Sequence, residues 1–250
     1  MRFILLRGLG RDQLHWTPLL NAMKKNFPGA SIETPDLPGA GILFKENSPL
    51  KIQQYIPFLE KQLDANDEPA TLIGLSLGGM IALKWAEKSP EKFNQLILIN
   101  SSSRLNFFYQ RLKVFNAIRY PGVIALNKKT KETATYKLTC NTRPVDEETI
   151  ERWTKIQQQH PVKAINQLRQ LIAALCYSLP PENQLPPVHI LYSKADRLVS
   201  PQCSRKLVQY YGATSDSHDW GGHDLSEDVP EWVAQKLAEL LKAKIKTNVD

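Results

Sequence analysis

The sequence predicts an α/β fold, a mainly parallel sheet of about six strands flanked by helices, and three observations predict it. Short apolar and β-branched runs recur near residues 2–6, 30–34, 70–74, 94–100, 187–193 and 213–217, with helical spacing between most of them. That alternation implies a mainly parallel sheet with its loops, and any site, at the carboxyl ends of the strands. One strand, Ala70 to Ile73, runs straight into Gly74-Leu75-Ser76-Leu77-Gly78-Gly79 and then into a helical pattern reaching Glu87. The middle of the chain, Ser101 to Pro186, breaks the rhythm: it shows no clear strand.

Taken in order, the first strand is the apolar start Phe3 to Leu6, too short for the core of a signal peptide. The second ends at Asp36-Leu37-Pro38-Gly39-Ala40-Gly41, where Asp36 reads as a turn carboxylate. The third leads to the GLSLGG turn. A serine lifted from a strand end in a sharp turn needs neighbours without bulk two residues before and two after, and Gly74 and Gly78 meet that need. Ser76 then stands at the N-terminus of the following helix, where free N–H groups favour developing negative charge, and the N–H of Leu77 is one oxyanion donor. The fourth strand closes on Ser101 to Ser103, read as loop and cap residues.

A serine hydroxyl is a weak nucleophile until a histidine takes its proton and a carboxylate orients that histidine. The fifth strand, Pro187 to Ser193, runs into a loop with Asp196, and Trp220-Gly221-Gly222-His223 forms a glycine-rich loop before Pro230 and an amphipathic terminal helix, Glu231 to Lys244. The order Ser76, Asp196, His223 is the one an elbow nucleophile leads one to expect. His218 is the rival base, but it ends the sixth strand and reads as a surface residue. His15 reads as a packing residue of the first helix, and neither His160, before Pro161, nor His189, within a strand, has a partner pattern.

With these residues in place the chain resembles the α/β-hydrolase family over nearly all of its length except the middle. The resemblance is carried by Leu5 to Gly10, Asp36 to Gly41, the Ser76 elbow, and the Asp196 and His223 loops. It implies a Ser76–His223–Asp196 triad and a second oxyanion donor at the backbone N–H of Leu9. It also implies that strands often found ahead of the first one here are absent. Arg7 departs from the family, which usually has histidine there; because the implied donor is a backbone group, the oxyanion hole can survive that change. Within the family the chain resembles the small capped carboxylesterases that demethylate pimeloyl-carrier-protein methyl ester. A lyase or a carbon–carbon hydrolase would use the same triad, and an inactive hydrolase fold that only binds a ligand is the reading from another class. Haloalkane dehalogenases place Asp where Ser76 stands.

The predicted organisation is a hydrolase core of residues 1–100 and 187–250 with a helical cap at 101–186. Helical periodicity covers Arg104 to Ile118, Asp146 to His160 and Val162 to Tyr177, whereas Lys128, Lys129 and Lys131 read as a solvated loop. Leu105, Phe107, Phe108, Tyr109, Leu112, Val114 and Phe115 either line an acyl pocket or, for most of them, form the cap's own packing face. Residues 101–185 hold 13 Lys and Arg against six Asp and Glu, so the whole net charge of +7 falls in the cap. That surface is either a solubility feature or, through arginines such as Arg111 and Arg119, an attractor for an acidic ligand such as a thioester or a carrier protein. The lysines form no nucleic-acid motif, and no run reaches membrane-spanning length. Cys140, Cys176 and Cys203 have neither metal spacing nor a disulfide framework, which fits a reducing, cytoplasmic setting. Neither a cofactor nor a metal is expected.

Overall fold

A computed structural model describes residues 1–66, 68–113, 127–181 and 185–247. In chain order the elements are β1 (Arg2–Leu6), α1 (Thr17–Asn26), β2 (Ser31–Glu33), α2 (Ile56–Glu60), β3 (Ala70–Leu75), α3 (Leu77–Lys88) and β4 (Phe93–Ile99). Helices α4 (Phe108–Arg111), α5 (Lys128–Thr139), α6 (Glu147–Gln159) and α7 (Ala164–Leu175) follow. The chain closes with β5 (Val188–Ser193), α8 (Pro201–Tyr211), β6 (Thr214–His218), α9 (Leu225–Asp228) and α10 (Pro230–Thr247). The six strands form one parallel sheet in the order β2-β1-β3-β4-β5-β6.

The central strands are buried on both sides, so they read as continuous apolar runs, as parallel sheets do. Successive side chains go to opposite faces. Ile4, Leu6, Leu72, Leu96 and Leu98 pack with α3 and Leu207 of α8, whereas Phe3, Leu5, Ile73, Ile97 and Ile99 pack with Leu19 and Met23 of α1 and with Val233 and Leu237 of α10. Helix α3 is buried nearly all round, with Leu77, Met80, Ile81, Leu83 and Trp85 each at most 4% exposed. It ends at Ser89, ahead of Pro90, which cannot continue the helical hydrogen bonding.

The strands fall where the sequence places them, and so does the terminal helix. The segment between β4 and β5 differs in three ways. Lys128, Lys129 and Lys131 belong to helix α5 rather than to a loop: Asn127 caps it by accepting from the Thr130 N–H at 3.0 Å, and Thr133, Thr135 and Thr139 each donate to a carbonyl one turn back. Helical spacing from Arg104 gives only the single turn Phe108–Arg111 among the described residues, because Leu112 turns extended; Val114, Phe115, Ile118 and Arg119 lie outside them. Phe107, Phe108 and Tyr109 do not form a packing face, being 67%, 66% and 54% exposed, with the Tyr109 ring stacked on Phe107 and edge-on to Phe108.

Backbone crosses backbone at the end of β3. A Cβ on Gly78 would stand 2.1 Å from the Leu6 carbonyl oxygen, and one on Gly74 would meet Gly78 and Gly79 main-chain atoms at about 2.4 to 2.5 Å. Gly78→Ala is therefore expected to lower stability by about 2 kcal/mol or more, read as a lower urea midpoint at constant slope. An unchanged midpoint would contradict so close a crossing.

Candidate functional site

Ser76 sits where β3 turns into α3, at φ 55° and ψ −115°, a region that residues other than glycine rarely adopt. Its N–H donates to the Ile99 carbonyl at 2.8 Å and its carbonyl accepts from Ser101 Oγ at 2.8 Å, so the turn is tied to β4 on both sides. The Leu77 N–H lies in the first turn of α3, among the amides a helix leaves without an internal partner. The Arg7–Gly10 loop after β1 lies against the elbow, since a Cβ on Gly8 would come within 3.3 Å of the Ser76 Cβ.

Asp196 and His223 meet from loops after β5 and β6. His223 Nδ1 and Asp196 Oδ2 are 2.7 Å apart, with side chains 5% and 2% exposed. A carboxylate oxygen only accepts, so Nδ1 carries the proton and Nε2 of the neutral ring is the acceptor. Asp196 is itself oriented: its Oδ1 accepts from the Leu198 and Val199 N–H groups at 2.8 and 2.9 Å. No hydrogen bond joins Ser76 to His223 among the described residues; such contacts commonly tighten only with substrate in place. Both residues line one cavity of about 270 Å³, together with Leu9, Leu77 and the mostly apolar walls supplied by Met80, Leu112 and Leu138.

Two features that sequence reasoning missed hold these loops. Asn100, at φ 46° after β4, accepts from the Ser193 N–H at 2.8 Å and donates to the His223 carbonyl at 2.8 Å and the Gly222 carbonyl at 3.2 Å. Only its position at a strand end hinted at this. Asp228 accepts from the N–H groups of Gly222 at 2.7 Å, Asn141 at 2.7 Å and Thr142 at 3.1 Å, which fastens the α5–α6 connection to the His223 loop. Arg7 also has a specific place. Its guanidinium pairs with Asp224 at 2.5 Å, donates to Ser226 Oγ at 2.7 Å and lies over the Trp16 ring at 4.5 Å. Burial pushes the Asp224 carboxyl up, but the Arg7 charge and hydrogen bonds outweigh it and hold the group at about 2.

The other histidines lie elsewhere. His218 accepts from the Gly221 N–H at 3.0 Å and packs edge-on to Trp220 and Trp232. His189 does have partners, Thr214 Oγ1 at 2.7 Å and Asp216 at 3.2 Å, because parallel β6 brings both beside it; likewise His160 approaches Asp12 at 3.4 Å. Asp36 is a turn carboxylate, accepting from the Gln13 and Ile42 N–H groups at 2.7 and 2.9 Å. His15 is fully buried, accepting from Arg11 on Nε2 at 2.9 Å and donating from Nδ1 to Asp12 at 2.8 Å. Arg111 is not a surface residue. It is 7% exposed, and its guanidinium donates to the Ala174 and Leu175 carbonyls at the end of α7.

Burial, and then the Arg11 charge, lower the His15 pKa to about 4. The unfolded ring takes its proton near pH 6.5 while the folded ring resists until about 4, so the unfolded state binds more protons in that window and stability falls as pH falls through it. The expected loss is on the order of 3 kcal/mol. Urea unfolding of wild type and His15→Gln between pH 7 and 4 checks it: the variant should lose this slope, and parallel curves would refute the assignment.

The model of the Alpha/beta hydrolase family matches residues 3–236. The pimeloyl-[acyl-carrier protein] methyl ester esterase of Aeromonas hydrophila subsp. hydrophila is 32% identical over 102 residues, 40% of this chain and 37% of that protein. The enzyme of the same name from Chromobacterium violaceum is 26% identical over 172 residues, 68% of this chain and 62% of its own. The chain thus spans less than two thirds of the length of these curated relatives. An esterase from Exiguobacterium antarcticum superposes with a TM-score of 0.77 at 16% identity, covering 97% of this chain and 92% of that one, a likeness of fold.

Proposed function

The chain belongs to the alpha/beta hydrolase family, and on that footing we propose that it is a serine hydrolase cleaving a carboxylic ester or thioester through an acyl-enzyme. The observation that carries this reading is the His223–Asp196 pair, buried and oriented at 2.7 Å beside the cavity that holds the strained Ser76. Ser76 Oγ attacks the acyl carbonyl and gives its proton to His223 Nε2, while Asp196 holds the Nδ1–H tautomer and stabilises the imidazolium. The N–H groups of Leu9 and Leu77 receive the oxyanion, each such donor being worth about 3 kcal/mol in comparable sites. His223 then protonates the leaving oxygen or sulfur. Water, activated by the same ring, releases the acid.

We read residues 101–186 as a cap over this site. Several of its cations are engaged internally: Arg152 with Glu227, Lys113 with the Asp196 carbonyl, and Arg169 with the Ser48 carbonyl. Lys128, Lys129 and Lys137 on α5 remain exposed. Two curated relatives are named for esters on acyl-carrier protein, and an acidic carrier matches this basic face. The three free thiols fit a reducing compartment, and we place the enzyme in the cytoplasm. Among the described residues no helix is long and apolar enough to cross a membrane.

A fluorophosphonate probe should label the wild type and spare Ser76→Ala, and Asp196→Asn should lower kcat by about 10⁴-fold. A folded wild type that takes no label would overturn the hydrolase reading in favour of a binding protein. Reversing Lys128, Lys129 and Lys137 to Glu should cut kcat/KM on acyl-carrier-protein esters by roughly tenfold or more, with nitrophenyl esters unaffected. Equal loss on both substrates, or on neither, counts against the carrier protein.

A further inference from the structure

The cavity beside Ser76 is mostly apolar, yet four cations line it: Arg7, Arg11, Arg111 and Lys131. Among the described residues two carboxylates line it with them, and each is taken. Asp224 pairs with Arg7, and Glu132 pairs with Arg11 at 2.5 Å. Among the described residues no carboxylate lies within 4 Å of Arg111 or Lys131, so none of those carboxylates neutralises these two charges of the wall. Lys131 is half-buried and spends its ammonium on Gln167 Oε1 at 3.1 Å.

Arg111 is the more demanding case. Its side chain is enclosed, its Nη groups reach only the neutral carbonyls of Ala174 and Leu175, and its buried Nε has no partner. The titratable groups whose charges act on it are Cys203, Arg104, Cys176 and Tyr177, none of them a carboxylate. Burial, with the like charge of Arg104, pushes its pKa down, as for a cation without a counter-charge. A buried guanidinium normally has a carboxylate or phosphate partner, because its desolvation is otherwise uncompensated. The missing anion is to be sought in the cavity that Arg111 lines.

We infer that Arg111 binds an anionic group on the substrate, so that the preferred ester has an acyl chain ending in a free carboxylate, the half-ester of a dicarboxylic acid. This rests on the hydrolase reading for its chemistry, but not for its binding. The apolar wall formed by Met80, Leu112, Leu138 and Leu171 takes the methylenes, and Arg111 takes the carboxylate. The guanidinium fork suits a planar carboxylate. Arg111 acts here as a specificity residue with no part in the acyl transfer.

The test compares monomethyl esters of adipic to suberic acid with methyl esters of the neutral alkanoic acids of the same length. Wild type should favour the half-esters, and Arg111→Gln should lower their kcat/KM by about 10- to 100-fold, mainly through KM, while the neutral esters are cleaved as before. Arg111→Lys should recover part of the loss and Lys131→Gln should cause little. Calorimetric binding of the free dicarboxylates to Ser76→Ala gives a readout independent of turnover, and the Arg111→Gln/Ser76→Ala double variant should lose it. Folded Arg111→Gln that loses both ester series equally, or a wild type that neither prefers half-esters nor binds dicarboxylates, makes Arg111 a cap of α7 and nothing more. Loss through Lys131 moves the subsite there and overturns the assignment. If 4′-phosphopantetheine binding is lost in Arg111→Gln and dicarboxylate binding is not, the anion is a phosphate and the half-ester proposal fails. Absence of turnover with dicarboxylate binding intact sinks the hydrolase reading and leaves this site standing.

Discussion

The rest of this structure is arranged around one backbone constraint, the left-handed turn at Ser76 where β3 becomes α3. A residue held at φ 55° and ψ −115° costs on the order of 1 to 3 kcal/mol and persists only where its surroundings leave no alternative. Here they leave none. The turn is hydrogen-bonded to Ile99 and Ser101 on the β4 side, and α3 crosses β1 so closely that only glycine fits at position 78. Helix α3 has almost no exposed face on which to relax, so the strain is absorbed by the most buried part of the sheet.

Charge fixes the remaining loops around that turn. Arg7 and Asp224 come from opposite ends of the chain, and their pairing holds the loop after β1 to the residue next to His223. Such a buried pair adds little over an apolar contact, but removing one member strands the other, so it sets geometry more than stability. Asp228 does the equivalent work for the helices between β4 and β5, drawing the α5–α6 connection onto the His223 loop, while Gln170 accepts from the Gly10 N–H at 2.8 Å and anchors the β1 loop to α7. Helices between β4 and β5 are therefore hydrogen-bonded to the segments carrying Leu9 and His223. The walls of the cavity and the groups proposed to do chemistry in it form one connected network.

The charge asymmetry of the middle segment takes a different meaning once the side chains are placed. As a count it describes a basic surface. In the fold the cations divide: Lys128, Lys129 and Lys137 face solvent, Arg152 and Lys113 tie the β4–β5 segment to Glu227 and to the Asp196 carbonyl, and Arg111 is enclosed beside the cavity. A charge on the outside steers a partner through water. A charge on the inside selects a ligand at short range, where desolvation makes an unmatched group costly.

Sequence alone was enough for the six strands, for the sharp turn at Ser76 between β3 and α3 and for the place of Asp196 and His223 in the loops after β5 and β6, because each rests on a local rule: apolar runs, glycines at fixed offsets from a serine, and polar residues just past strand ends. It also placed α6 and α7, whose apolar spacing is regular and whose limits lie at Asp146 and ahead of Pro161. It misread α5, since that helix buries Glu132 along with Tyr136 and Leu138, and a buried carboxylate matched only by a distant Arg11 looks like solvated polarity in one dimension. The partners of Arg7, the work of Asn100 and Asp228, and the enclosure of Arg111 were likewise decided only by tertiary structure. Each depends on a hydrogen bond between groups at least 63 residues apart, and up to 217 for Arg7 and Asp224, and pairing over such distances leaves no periodicity for a sequence to display.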